Sequence, residues 1–66
     1  MFVWRYVDSS GHDLGASEGF VDRDAAEAWM AEAWKELRQR GVEDVELIDR
    51  EGGDVVYRMG LSDASD

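Results

Sequence analysis

The chain has 66 residues, 44% of them hydrophobic, and its 16 Asp and Glu side chains against 7 Lys and Arg give a net charge of -9. Such a charge repels nucleic acid and anionic membrane and attracts basic protein surfaces. Cysteine is absent, which excludes a disulfide framework and a thiolate metal site, so one small domain must be held by packing alone.

Residues 2–8, FVWRYVD, alternate with period two, which predicts a strand with Phe2, Trp4 and Tyr6 on one face and Val3, Arg5 and Val7 on the other. The following DSSGHD is turn chemistry, short polar side chains that bond their own backbone beside a glycine. A second strand is expected from Asp13 to Val21, with Leu14, Ala16 and Phe20 in phase and an edge position or a bulge near Gly19.

Asp22 has the chemistry of a helix N-cap and Asp24 suits the first turn. From Arg23 to Arg40 the spacing is helical, with Ala26, Trp29, Met30, Ala33 and Leu37 forming an apolar stripe and Trp34 on its flank. Arg38 and Arg40 suit the last turn and Gly41 the C′ position. A third strand over 42–50 places Val45 and Leu47 inward. The turn Glu51-Gly52-Gly53-Asp54 then leads to a fourth strand, Val55–Met59, with Val55, Tyr57 and Met59 inward. The fold class is α+β, a ββαββ unit with one mostly antiparallel sheet and one helix on one face. The domain spans 1–60, and 61–66 form an acidic C-terminal tail expected to fray. On the uncovered face, Val3, Val7, Ile48 and Val56 would suffice for a weak partner or dimer surface if they form one patch. The chain opens on a strand-like run, without a basic leader or a cleavage site, and carries no apolar stretch of the roughly 18–20 residues needed to span a bilayer. A cytoplasmic protein without membrane partners is expected.

Several residues invite chemistry. His12 lies beside Ser9, Ser10 and Asp13, but a catalytic triad needs groups converging from distant parts of a fold, and these share one turn. Asp49, Glu51 and Asp54 resemble part of a calcium loop, yet the ligand spacing fails after Glu51. Gly11, Gly15 and Gly19 match no phosphate-binding loop, and Lys and Arg do not cluster as direct nucleic-acid binding requires. The expectation is no catalytic residue, no cofactor and no metal.

The acids themselves are left. Glu43, Asp44, Glu46, Asp49, Glu51 and Asp54 fall in one stretch whose only cation is Arg50. Same-face carboxylates on a strand, such as Asp44 and Glu46, stand about 6.6–6.8 Å apart. That spacing is of the order of the separation between successive phosphates in a nucleic acid. A row of this kind can occupy a cationic groove, with Asp8 and Asp13 extending it. The alternative is a solvating, salt-adapted surface.

Trp4-Arg5-Tyr6, the turn ending at Gly11, Ala16-Ser17-Glu18-Gly19-Phe20 and Asp24-Ala25-Ala26 resemble the YegP-type family of small bacterial and archaeal proteins over roughly residues 4–34. Phe20 stands where that family has Tyr, Ser10-Gly11 where it has Asn-Gly, and the second half is more acidic. The resemblance implies a sheet-plus-helix fold and pairing of two such units, and it implies no activity. The leading expectation is a non-enzymatic nucleic-acid mimic, of the anti-CRISPR or anti-restriction kind by analogy of size and charge. Its partner would be a basic protein surface in a nucleic-acid-processing complex. The alternative is a YegP-like module, a monomer or weak homodimer, whose acidity serves solubility.

Overall fold

The computed structural model describes residues 1–61. The elements follow in the order β1 (Phe2–Val7), β2 (Asp13–Ala16), α1 (Arg23–Gln39), β3 (Asp44–Asp49) and β4 (Asp54–Gly60). They form one four-stranded sheet in the order β2-β1-β3-β4, antiparallel throughout, with a single helix. The ββαββ expectation holds, and the strand order places β1 and β3 at the centre.

Period-two alternation in β1 decides which face is covered. Trp4 pairs with Leu47 and Tyr6 with Val45, so the inward residues of the two central strands fall on one face. Trp4, Val45, Leu47 and Met30 are fully buried there, joined by Ala26, Leu37, Val42 and Leu61. The Trp4 indole N–H donates to the Ala26 carbonyl at 2.8 Å, fixing α1 over β1. Asp22 caps the helix by accepting from the Ala25 amide at 2.8 Å, and Gly41, at φ 96°, makes the left-handed exit that favours glycine.

The helix direction follows from the chain ends it joins. Phe20 exchanges backbone hydrogen bonds with Phe2 just before the Asp22 cap. After the helix, Val42 N–H bonds Leu37 and Glu43 N–H bonds the Val7 carbonyl. The N-terminus of α1 therefore stands at the Phe2 end of β1 and its C-terminus at the Val7 end.

Three expectations are corrected. The second strand ends at Ala16, not Val21; Phe20 touches β1 only through an isolated bridge to Phe2. It is an edge strand, one of the two alternatives expected, and its irregularity lies at Leu14, which is skipped between the Tyr6–Gly15 and Val7–Asp13 pairs, rather than at Gly19. Leu14 is consequently exposed instead of inward. In β4, Leu47 pairs with Tyr57 but Ile48 with Val55, so Val56 is an extra residue. This bulge turns Val55 to the open face, where it is 52% exposed. Finally, Leu61 does not fray: it is buried in the core, and its N–H bonds the Glu43 carbonyl at 2.7 Å. The remainder of the expected tail, 62–66, lies outside the described residues.

Candidate functional site

The face without the helix carries one apolar row at its turn end, Val3, Ile48 and Val55 paired directly across three strands, of which Val55 is exposed. Val3 and Val7, expected to lie open there, are only 7% and 6% exposed. Between them runs a line of alternating charge across all four strands. Arg5 Nε stands 3.7 Å from Asp13 Oδ2 and 3.7 Å from Glu46 Oε1. Arg58 approaches Glu46 Oε2 at 3.9 Å and Asp44 Oδ2 at 3.8 Å. The register explains this, since Arg5, Glu46 and Arg58 are direct cross-strand partners.

This line divides the six acids read from the sequence. Asp44 and Glu46 share a face at alternate positions as expected, but each is neutralised by an arginine. Glu43 lies at the Val7 end, beside the C-terminus of α1. Asp49, Glu51 and Asp54 lie at the opposite end, around the β3–β4 turn. Asp44 and Asp49 stand five residue steps apart along β3, about 17 Å at roughly 3.3–3.4 Å per residue. The Debye length is about 8 Å at physiological salt. The two groups therefore act on a partner as separate fields, not as one row.

The turn end is the concentrated one. Asp49 and Asp54 are direct cross-strand partners at the last pair of the ladder. Glu51 follows within the turn, where its N–H donates to Asp49 Oδ1 at 3.0 Å. Asp22 and Asp24 at the start of α1 belong to the same end, because Phe20 and Phe2 place that helix end beside Asp49. Among the described residues, Asp49, Glu51, Asp54, Asp22 and Asp24 make no ion pair, and Arg23 is engaged with Glu27 at 3.8 Å. Lys35, Arg38 and Arg40 stand at the other end of the helix. Glu36 and Glu43 lie with those cations, and Arg50 sits within the acidic turn itself, so each end of the sheet carries both signs.

The serine-histidine turn is an Asp8-centred loop. Asp8 Oδ1 accepts from the amides of Ser10 and His12 at 2.9 and 2.8 Å, and Oδ2 lies 3.4 Å from His12 Nδ1. The His12 amide bond foremost, with the Ser10 bond and the imidazole charge, holds the Asp8 carboxyl below its ordinary value of 3.8. Asp8 and Asp13 flank the Val7 end and do not extend the acidic turn. Trp34 is half-buried on the flank of the core, with Lys35 over its ring, 5.7 Å from the centroid. Among the described residues, no three acid or His side chains converge as a cation site, and no helix is long and apolar enough to cross a membrane.

One feature escaped the sequence reading. Between α1 and β4 lies a cleft of about 150 Å³ lined by Trp4, Glu27, Met30, Ala31, Tyr57 and Met59. Tyr57 meets Trp4 edge-on, with ring centroids 6.3 Å apart, yet remains 41% exposed. The signal for it was indirect: one helix is too narrow to cover four strands.

Trp4 and Ser17 are in contact: Ser17 Oγ accepts from the Trp4 amide at 2.9 Å, and Ser17 N–H returns a bond to the Trp4 carbonyl at 2.8 Å. Comparison with known protein families, with curated proteins and with solved structures finds no match.

Proposed function

We propose that this is a non-enzymatic acidic binding protein whose β3–β4 turn end occupies a basic surface that otherwise holds nucleic acid. The observation that carries this reading is the Asp49–Asp54 pair. Like charges directly opposite on a ladder are destabilising, by about 0.2–1 kcal/mol. Within the β3–β4 ladder, Asp44 and Glu46 are met by Arg5 and Arg58, whereas Asp49 and Asp54 make no ion pair among the described residues. A local conflict left in place where the rest of the sheet is balanced is characteristic of a binding site. A cationic groove would relieve the repulsion on binding.

The clustering of acids around one turn supports mimicry over simple solvation, since solubility requires net charge but not its clustering. Glu51 and Asp54, with Asp49, Asp22 and Asp24 behind them, are the residues assigned to the contact. Association should be fast at low salt and fall steeply as salt rises. The test is association kinetics with a captured partner across a salt series, using Glu51→Lys and Asp54→Lys. The expected result is slower association with little change in dissociation. Equal rates for the variants and the parent chain would remove the proposal.

A further inference from the structure

We infer that the free edge of β4, together with the cleft between it and α1, receives an extended segment of the partner as an added strand. The inference rests on the basic-partner reading above and says how such a partner is held.

β4 is the outermost strand on its side of the sheet, seven residues long and free of proline. Its outward N–H and C=O groups have no strand partner among the described residues. Proteins usually blunt such an edge by shortness, charge, proline, a bulge or cover. The opposite edge is short, since β2 has four residues. β4 is blunted only in its first half, by Asp54 and the bulge at Val56, and it exposes Val55, Val56 and Tyr57. The bulge at Val56 interrupts its first half, leaving Tyr57–Gly60 as the regular edge.

That regular half is the one beside the cleft, because Tyr57 and Met59 form its wall against Met30 and Ala31 of α1. A groove between an edge strand and a helix is the geometry in which an added strand gains both main-chain hydrogen bonds and a pocket for an alternate side chain. A cavity of about 150 Å³ admits a benzene-sized group, so the cleft of that volume takes one leucine- or phenylalanine-sized anchor.

Charge selects the occupant. Glu27 lies on the cleft rim, shared with Arg23, Asp54 begins the strand with Asp49 across from it, and Arg58 within the edge is engaged with Asp44 and Glu46. A second copy would bring -9 against -9 and is repelled. An extended segment carrying an apolar anchor between lysines or arginines has the matching chemistry.

The test is an NMR titration with a short blocked peptide alternating lysine and leucine, beside the same peptide N-methylated at alternate amides, and with oligolysine. The expected result is shifted and exchange-protected amides at Tyr57–Gly60, with about tenfold or greater loss of affinity on N-methylation. Ala31→Trp, at an exposed helix position beside the cleft, should weaken the parent peptide similarly. Binding centred on Asp49–Asp54, indifferent to N-methylation, overturns strand addition but leaves the basic-partner reading standing; so does oligolysine binding when the alternating peptide does not bind. Failure of both cationic probes overturns both readings. Protection of Tyr57–Gly60 that grows with protein concentration, without peptide, makes a second copy the occupant and overturns the inference.

Discussion

Arg5 and Glu46 face each other across the two central strands at 3.7 Å, and Arg58 approaches the same carboxylate from the other side at 3.9 Å. Glu46 is the hinge of the charge line, its side chain only 18% exposed. Removing its charge leaves two arginines facing one vacancy. Glu46→Gln should lower stability by about 1 kcal/mol and leave association with a basic partner nearly unchanged. Urea denaturation and association kinetics on the same variant check both halves.

The opposite pattern is expected at the turn. Asp54→Asn relieves the repulsion across the Asp49–Asp54 pair, so stability should rise by a few tenths of a kcal/mol, up to about 1. Association should slow. A variant that is more stable and binds as fast places no functional weight on that pair.

Asp22 separates capping from field. Its side chain accepts from Ala25 N–H, so Asp22→Ala should cost about 1 kcal/mol through the lost cap. Asp22→Ser keeps an acceptor and removes the charge; it should retain most of the stability while slowing association modestly. Thermal unfolding of the two variants, read beside their association rates, distinguishes the roles.

The Asp8 loop gives a pH signature. The carboxyl is held below 3.8 by the His12 and Ser10 amides, so the folded state favours the ionised form. Its contribution to stability is present above about 3.8 and lost as pH falls through the lower folded value. An NMR titration should place the Asp8 midpoint below that of an unfolded reference peptide, and Asp8→Asn should remove this part of the acid dependence.

Trp4 carries the strongest structural prediction. Trp4→Phe loses the bond to Ala26 and leaves a gap in the core, and should cost about 1–3 kcal/mol. In so small a domain that is a large share of the total stability, visible as a lowered denaturation midpoint.

Much of this fold is legible in the chain itself. The helix limits follow from Asp22, Gly41 and the stripe between them, and β1 from its alternation, because these signals are local. The bulges at Leu14 and Val56 were not legible, since a bulge is fixed by the partner strand as much as by its own residues. The charge line was hidden for the same reason: Arg5, Glu46 and Arg58 meet only once the order β2-β1-β3-β4 is known. Thus the acidic stretch could be found in the sequence but not divided. Asp49, Glu51 and Asp54 retain the proposed role, whereas Asp44 and Glu46 belong to the balance of the open face.

The most direct measurement is displacement by nucleic acid. The chain, immobilised at low salt, captures its partner from lysate, and duplex DNA or structured RNA is then added at rising concentration. The account predicts that nucleic acid releases the partner competitively, and that a chain carrying Asp49→Asn, Glu51→Gln and Asp54→Asn retains its fold but captures little. A partner that stays bound at saturating nucleic acid, and is captured equally by the neutralised chain, would contradict it.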